Sequence, residues 1–235
     1  MTRLIKIVIP VATSIWNEKV KEFCEKIREP DTTISVVNLE KGPESIESYY
    51  DEAFASPYVA LEAIKAEKEG YNAVIVYCFG NPGVNAARAA VKIPVFGAGE
   101  VGITFANLLG NRFSIISTLE VAVPRCLRTV KLLGMESKLA SIRTVNMPVL
   151  ELESKDKLLK AALNAGQLAI KDGADIIVLG CTGMIGIRNH LEEKLGIPVI
   201  DPGEATLKFA EVAVSLNLKH SKRYFRHNFK KKTIL

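Results

Sequence analysis

Short apolar segments alternate along the chain with longer segments in which apolar residues recur at helical spacing. The short segments are rich in β-branched residues and predict strands at residues 5–10, 34–39, 73–77, 95–96, 113–117, 142–145, 176–179 and 199–200. Between them, residues 57–69 and 156–171 carry the apolar pattern of amphipathic helices. This alternation predicts an α/β fold, and the uninterrupted apolar strands indicate mostly parallel sheets that are covered on both faces.

An internal repeat divides this pattern into two halves. The segments from Gly70 to Cys78 and from Gly173 to Cys181 each run from a glycine through an apolar strand to a cysteine eight residues later. After each cysteine, a glycine follows at five residues, and an Ile-Pro-Val triplet and a Gly-Glu pair then recur. The repeat therefore predicts two similar α/β lobes, each flanked by helices and each with a cysteine at the same structural position.

The repeat also indicates where the two lobes begin and end. We expect the first lobe to span residues 1–99, with a last helix at residues 203–216 packed back on it, and the second lobe to span residues 100–200. We expect pseudo-twofold symmetry to relate the lobes and the active site to lie between them. No stretch rich in serine and glycine separates the lobes, so the candidate hinges are residues 97–99 and 201–203.

The excess positive charge of the chain lies at its C-terminus rather than on a binding face. The formal net charge is +5, but residues 219–235 hold seven basic side chains and no acidic one. Without them, 24 basic residues face 26 acidic ones, so the body of the protein is slightly acidic. We interpret residues 219–235 as a solvated basic tail, and we expect no specific nucleic-acid partner.

The overall composition limits the location and the chemistry of the protein. Hydrophobic residues make up 48% of the chain, and no apolar stretch reaches the roughly 18–20 residues of a membrane span, so we expect no membrane partner. With no recognisable signal peptide, the sequence predicts a cytoplasmic protein. Three histidines and four scattered cysteines lack the spacing of metal ligands or of a disulfide framework, so no metal site is expected. Residues 97–102 match only a fragment of the dinucleotide-binding pattern, so no cofactor is expected.

Two of the four cysteines are candidate catalytic residues. Cys78 and Cys181 are each expected just past the carboxyl end of a strand and at the start of a helix, whereas Cys24 and Cys126 are interpreted as buried apolar side chains. Backbone N–H groups and the helix dipole at such a place are expected to lower the pKa of a thiol. Two thiols on opposite faces of a cleft can remove a proton from a carbon and return one to its other face, which is racemisation.

Small and polar residues beside the two thiols are candidate substrate-binding residues. Glycines there let the backbone approach a ligand closely, and short polar side chains add hydrogen-bonding groups. The candidates that follow the two cysteines are Phe79, Gly80, Asn81, Gly83, Thr182 and Gly183. Backbone N–H groups in these loops are expected to stabilise the negative charge that develops on a carbonyl oxygen of the substrate.

Two sequence motifs surround the cysteines: Tyr-Cys-Phe-Gly-Asn-Pro-Gly at 77–83 and Leu-Gly-Cys-Thr-Gly-Met at 179–184. They resemble the two cysteine motifs of the hydantoin and allantoin racemase branch of the aspartate/glutamate racemase superfamily. The resemblance covers about residues 4–215 and includes residues 97–100, 117–120, 123–124 and 200–202. It implies a cofactor-independent racemase or epimerase in which both cysteines act as acid/bases, on a hydantoin, allantoin or amino-acid-like substrate.

The resemblance further implies that hydroxyl groups near the first strand and in mid-chain bind the substrate. By it, Thr118 is a substrate-binding residue, and Thr13 or Ser14 is another candidate. The chain departs from the branch at two places. Pro-Val-Ala-Thr at residues 10–13 stands where the branch often has Asn-Pro-Asn-Thr, and Asn81 stands where it commonly has Asp. Both departures affect the pocket rather than the thiols, and therefore the choice of substrate.

Two other functions stay open at this point. A maleate-isomerase-like enzyme would use one cysteine as a nucleophile on a double bond and the other as a proton donor. A non-catalytic protein that binds small anions or responds to redox conditions would use the same thiols without turnover. For any of these functions the partner is a small molecule, and the apolar residues within 101–109 predict a homodimer or a larger homo-oligomer.

Overall fold

The computed structural model describes residues 2–223 and residue 225. The first half of the chain contains β1 (Arg3–Ile9), α1 (Asn17–Ile27), β2 (Thr32–Asn38), α2 (Tyr49–Lys68), β3 (Ala73–Val76), α3 (Val84–Ala90), β4 (Val95–Gly97) and α4 (Ala98–Leu109). The second half contains β5 (Phe113–Ser117), α5 (Val123–Leu132), β6 (Leu139–Thr144), α6 (Lys155–Lys171), β7 (Ile176–Leu179), α7 (Arg188–Leu195), β8 (Val199–Ile200) and α8 (Pro202–Ser215). Every predicted strand is present, within a few residues of its expected bounds.

The strands form two four-stranded parallel sheets, one from each half of the chain. Their orders are β2-β1-β3-β4 and β6-β5-β7-β8, so the same topology occurs twice. The predicted α/β fold of two similar lobes with parallel sheets is therefore confirmed. The strand order reverses between β1 and β3 in the first sheet and between β5 and β7 in the second. In parallel α/β sheets, ligands bind in the crevice at the carboxyl ends of the strands at such a reversal.

Equivalent backbone hydrogen bonds show that the sequence repeat is also a structural repeat. In the first lobe, the amide of Tyr77 donates to the carbonyl of Val8 at 2.8 Å. In the second lobe, the amide of Gly180 donates to the carbonyl of Ile116 at 2.7 Å. The residue before each candidate cysteine is thus tied to the first strand of its own sheet, so the two cysteines occupy matching positions.

Two helices each follow the last strand of one lobe but pack on the other lobe. Helix α4 follows the last strand of the first sheet, but its Ile103 lies in a buried cluster with Phe113 of the second sheet. Helix α8 follows the last strand of the second sheet, but its Leu207 lies in the core with Ile75 of the first sheet. The two helices also pack against each other, so they join the lobes into one body.

The apolar face within residues 101–109, which suggested an assembly, is largely used inside the chain. Val101, Ile103 and Ala106 are buried, because they pack against the sheets and helix α8. Leu108 and Leu109, at the end of the helix, remain exposed. Most of the apolar residues in this segment therefore pack in the interior of the protein rather than forming a surface for a partner.

Helix α2 begins eight residues before the predicted start at Pro57. Its start is set by a capping box, in which the Ser48 hydroxyl accepts the amide N–H of Asp51 at 3.2 Å and the Asp51 carboxylate accepts that of Ser48 at 2.8 Å. The prediction was wrong because proline favours the first turn of a helix, whereas here it lies inside one. The added turns carry Glu52, which becomes part of the site.

The basic tail is described only in part, since residue 224 and residues 226–235 lie outside the described residues. Lys219, Ser221 and Arg223 are exposed as expected, whereas His220 and Lys222 are half-buried. The Lys222 ammonium donates to the carbonyl of Arg88 at 3.0 Å, and the His220 ring packs on Phe96 with centroids 5.7 Å apart. Across residues 2–223 and 225, none of the helices has both the length and the apolar character that crossing a membrane requires.

Candidate active site

Cys78 and Cys181 lie two residues past the ends of β3 and β7, at the carboxyl edges of the two sheets. The same turn follows each cysteine. The carbonyl of Cys78 accepts the amide N–H of Asn81 at 3.1 Å, and the carbonyl of Cys181 accepts that of Met184 at 3.2 Å. The internal repeat therefore presents two thiols from matching loops.

The expectation that each cysteine begins a helix is wrong. Helix α3 begins six residues after Cys78, and helix α7 begins seven residues after Cys181. The intervening turns contain Gly83 and Gly186 with φ values of 70° and 82°, a left-handed conformation that interrupts a helix and that glycine adopts readily. The thiols consequently lie outside the first turn of each helix, where the helix dipole acts most strongly.

The two thiol loops meet between the lobes. The hydroxyl of Thr182 donates to the carbonyl of Tyr77 at 3.1 Å, which ties the residue after one cysteine to the residue before the other. Both thiols line two adjoining cavities, with volumes of about 60 Å³ and about 40 Å³. The cavities therefore lie between the lobes and are within reach of both cysteines.

Two loops, one from each lobe, cover these cavities. Ile46 from the first lobe and Val149 from the second line both of them. The Glu47 carboxylate accepts the amide N–H of Val149 at 2.7 Å, and this bond holds the two loops together. The loops cover the cavities in part, since both cysteines remain partly exposed to solvent.

The two cavities differ in chemical character. The larger is lined mainly by apolar side chains: Ile9, Pro10, Val11, Trp16, Val20 and Ile185. The smaller carries hydrogen-bonding side chains: Ser117, Thr118 and Arg125. A ligand that contacts both thiols therefore meets an apolar wall on one side and hydrogen-bonding groups on the other.

Comparison with known protein families covers both lobes and both thiol loops. A model of the Asp/Glu/Hydantoin racemase family matches residues 5–210. The chain belongs to this family. It is 37% identical to the hydantoin racemase of Pseudomonas sp. (strain NS671), over 93% of this chain and 88% of that protein. It is 35% identical to the hydantoin racemase of Paenarthrobacter aurescens, over 93% of this chain and 94% of that protein.

Two solved structures of allantoin racemases have the same fold as this chain. An allantoin racemase from Klebsiella pneumoniae superposes with a TM-score of 0.94 at 30% identity, covering 100% of this chain and 96% of that chain. The allantoin racemase from Pseudomonas fluorescens gives 0.92 at 29% identity, covering 99% of each chain. The relatives extend over nearly all of the chain, so both lobes belong to the family fold, and the chain is a racemase, that is, an isomerase.

Burial raises the pKa of both thiols of this racemase. Loss of solvation raises the pKa of Cys78 to about 12 and that of Cys181 to about 11. The amides of Gly80 and Gly183 and the nearby guanidinium of Arg125 lower the two pKa values, but by less than burial raises them. The expectation of lowered thiol pKa values is therefore wrong, because burial raises them by more than the two amides and Arg125 lower them.

We expect the activity of this racemase to rise with pH. A cysteine can act as a base only as its thiolate, and because the folded-state pKa values exceed the ordinary value of 9.0, little thiolate is present at neutral pH. The thiolate fraction, and with it the rate, should rise about tenfold per pH unit well below the pKa. Initial rates of α-proton exchange between pH 7 and 9, corrected for uncatalysed exchange, measure this slope. A flat profile would show that the thiolate is already formed.

Seven of the predicted site residues line the two cavities: Cys78, Phe79, Gly80, Thr118, Cys181, Thr182 and Gly183. Among the described residues lining these cavities, Thr13, Ser14, Asn81 and Gly83 are not found. Ser14 is exposed, and the Thr13 hydroxyl accepts the amide N–H of Ile15 at 3.4 Å. Gly83 instead directly precedes α3 and lies beside helix α2, where an added Cβ would lie 2.6 Å from the Ser56 carbonyl oxygen.

Asn81 holds the Cys78 loop in place rather than facing the cavities. Its side-chain oxygen accepts the amide N–H groups of Gly99 and Glu100 at 3.0 and 3.2 Å. Its side-chain nitrogen donates to the carbonyl of Phe79 at 3.0 Å. Asn81 thus links the loop that carries the thiol to the N-terminus of helix α4.

The second lobe caps its equivalent helix in a different way. Asp201 directly precedes α8, and its carboxylate accepts two amide N–H groups of the first turn, at 2.8 and 3.1 Å. The matching residue of the first lobe is Gly97, where an added Cβ would overlap the Asn81 side-chain oxygen. Asn81 therefore supplies from a neighbouring loop the cap that Asp201 supplies from within its own segment.

Sequence reasoning missed Arg125, which lines the smaller cavity together with both thiols. Its Nη1 donates to one Glu52 oxygen at 3.2 Å, and Arg128 Nη2 donates to the other at 2.6 Å. A signal was present in helix α5, because a buried face at helical spacing includes the arginine along with three small or apolar residues: Arg125, Cys126, Thr129 and Val130. An arginine on such a face indicates a buried partner or ligand.

Of the two remaining cysteines, Cys126 lines the smaller cavity, whereas Cys24 lies in the core of the first lobe. Cys24 and Cys126 are both buried, as predicted, and the Cys126 thiol lies 3.5 Å from the Ser117 hydroxyl, to which it donates. Within the part of the chain that the structure describes, no three His, Cys, Asp or Glu side chains are grouped so that they could hold a metal ion.

Proposed function

We propose that this racemase uses Cys78 and Cys181 as its two acid/bases, without a cofactor. The observation that carries this proposal is the placement of both thiols, from equivalent loops of the two lobes, on the same pair of small cavities. Racemisation through two bases needs one proton-transferring group on each face of the reacting carbon. Two lobes with matching loops supply such a pair.

In the proposed reaction, one cysteine is a thiolate and the other a thiol. The thiolate takes the α-proton, and the electron pair of the broken C–H bond moves onto the adjacent carbonyl to form an enolate. The thiol then delivers its proton to the opposite face of the carbon, and the carbonyl is restored. The two cysteines end with their protonation states exchanged, so the reverse reaction starts from the other one.

We propose that the substrate is a hydantoin whose substituent at the reacting carbon is apolar. The names of the relatives, hydantoin racemase and allantoin racemase, support a ring with a carbonyl beside that carbon. The apolar wall of the larger cavity supports an apolar substituent, because a polar ureido group would lose its hydrogen bonds to water there. Pro10 belongs to this wall, at a position where the related branch often has asparagine.

Deuterium exchange tests the reaction and the substrate together. The protein is incubated in D₂O with 5-isopropylhydantoin, 5-benzylhydantoin, allantoin, aspartate, glutamate and proline, and the α-proton signal is followed by NMR. We expect exchange and loss of optical rotation with the substituted hydantoins and slower exchange with allantoin. Faster exchange of allantoin would contradict the apolar substituent, and no exchange with any compound would contradict the racemase mechanism.

The same samples distinguish the alternative chemistry. A maleate-isomerase-like reaction forms a covalent adduct, so incubation with maleate would add the mass of the substrate to the intact protein. We expect no added mass, because proton transfer leaves both thiols unmodified.

Both thiols must also stay reduced, and we therefore propose that the enzyme acts in the cytoplasm.

A further inference from the structure

One buried donor at the cavity has no acceptor. The side chain of Arg125 is only 8% exposed and lines the smaller cavity beside both thiols. Its Nε is buried and has no hydrogen-bond partner among the described residues. A buried guanidinium N–H without an acceptor is unfavourable, and it indicates a place where a ligand supplies the missing oxygen.

The charges around Arg125 do not cancel. Glu52 is shared by two guanidinium groups, with Arg125 on its inner oxygen and Arg128, which is 46% exposed, on its outer oxygen. One carboxylate against two cations leaves a net positive charge. Glu47, on the covering loop, is a further negative charge, but its carboxylate accepts the amide N–H of Val149 and forms no ion pair with either arginine. The smaller cavity is therefore suited to an oxygen that is, or becomes, negatively charged.

Arg125 is also positioned to act on both halves of the site. Its positive charge lowers the pKa of Cys78 and also that of Cys181, so it lies close enough to influence either thiol. Gly80 is part of the same arrangement, because an added Cβ there would lie 2.6 Å from Glu52 Oε1 and 3.7 Å from Arg125 Nη1. The absence of a side chain at Gly80 leaves room for the ion pair directly against the Cys78 loop.

We propose that Arg125 Nε–H donates to the carbonyl oxygen next to the reacting carbon and stabilises the negative charge of the enolate. This proposal rests on the proposed function. When a thiolate removes the α-proton, the electron pair moves to that oxygen, and the hydrogen bond to Arg125 strengthens without any transfer of the arginine proton. When the second thiol protonates the carbon, the charge leaves the oxygen again. The substrate class is thus a carbonyl compound whose enolate oxygen faces helix α5.

Ligand binding tests this role separately from turnover. The probe is barbiturate, a planar ring anion with its charge on the carbonyl oxygens, and its neutral counterpart is unsubstituted hydantoin. Calorimetric titration at neutral pH gives the Kd of each for the parent protein, Arg125→Gln and Arg128→Gln. The second variant is the matched control, because it removes a guanidinium from the same carboxylate without changing the lining of the cavity.

We expect Arg125→Gln to weaken barbiturate binding by about 10- to 100-fold, the loss of one hydrogen bond to a charged group, and hydantoin binding by less than about threefold. We expect Arg128→Gln to change either Kd by less than about threefold. In exchange assays with 5-benzylhydantoin, Arg125→Gln should lower kcat and leave KM nearly unchanged, because the enolate charge exists only after proton removal.

The proposal would be overturned if Arg125→Gln and Arg128→Gln weakened barbiturate binding equally. It would also be overturned if Arg125→Gln weakened the binding of barbiturate and of hydantoin equally, because Arg125 would then serve only to hold Glu52 in place. Should Arg125→Gln fail to fold, Arg125→Lys serves instead. It keeps the charge but not the guanidinium, and unchanged barbiturate binding by it would likewise overturn the assignment to Nε–H. If the parent protein exchanged no α-proton yet the barbiturate difference held, the racemase mechanism would fail while the anion site would stand.

Discussion

Replacing Cys78 or Cys181 by serine is expected to stop racemisation, while each variant still exchanges the α-proton of one enantiomer. A serine hydroxyl is too weak an acid to form the required base at neutral pH, so each change removes proton transfer on one face of the carbon. Loss of a general acid/base typically lowers the rate by about 10²- to 10⁴-fold. The remaining thiolate can still remove the proton that faces it and return a deuteron to the same face.

The two variants should therefore be complementary. In D₂O, with the enantiomers of the substrate supplied separately, NMR measures exchange and chiral chromatography measures inversion. Cys78→Ser should exchange one enantiomer, Cys181→Ser the other, and neither should invert it. Cys24→Ala is the matched control, since its thiol is buried in the first-lobe core, and it should racemise like the parent protein. Inversion by either serine variant at the parent rate would contradict the two-thiol mechanism.

Gly99→Ala is expected to be among the most destabilising single changes in this protein. Gly99 lies in the first turn of α4, where an added Cβ would overlap the carbonyl oxygen of Phe79, a backbone atom that cannot rotate away. Either α4 or the Cys78 loop must move, and we expect a loss of about 3 kcal/mol in the free energy of unfolding. Because the overlap is next to the thiol loop, the activity of the folded fraction should fall as well.

Urea unfolding measures this loss, with Gly166→Ala as the matched control. Gly166 is also a helical glycine, in α6, but an added Cβ would meet only the flexible end of Leu195, at 2.5 Å. Alanine favours a helix over glycine by up to about 1 kcal/mol, so the control should change stability little in either direction. Similar unfolding midpoints for the two variants would show that α4 and the Cys78 loop are not held as tightly as the structure indicates.

The sheets and the repeat were predictable from sequence, because both depend on local patterns. Buried parallel strands are apolar throughout, and two matching runs that each end in a cysteine place the thiols at matching strand ends. The start of α2 was missed because Pro57 resembles a helix start, while the capping box at Ser48 depends on a hydrogen-bond geometry that the sequence pattern only suggests.

The properties of the site depended instead on contacts between distant segments. The raised pKa values of the two thiols arise from burial between segments, among them those of Ile46 and Val149, that only the folded chain brings together. Arg125 was missed because its partner, Glu52, lies 73 residues away on the other lobe. Asn81 was interpreted as a substrate contact because it is polar and close to a thiol in sequence, whereas folding directs its side chain to helix α4.

The packing of α4 and α8 on opposite lobes has a consequence for the origin of the chain. If the protein were cut between its two repeats, the first half would keep α4, which packs on the second sheet, and the second half would keep α8, which packs on the first sheet. Each half would then lack a helix that covers its own sheet. A single half could bury that helix and sheet only by pairing with a second copy and exchanging helices, which is a domain-swapped homodimer. An ancestor of one repeat would thus have needed two subunits to form a single site, and gene duplication with fusion would have made that exchange permanent.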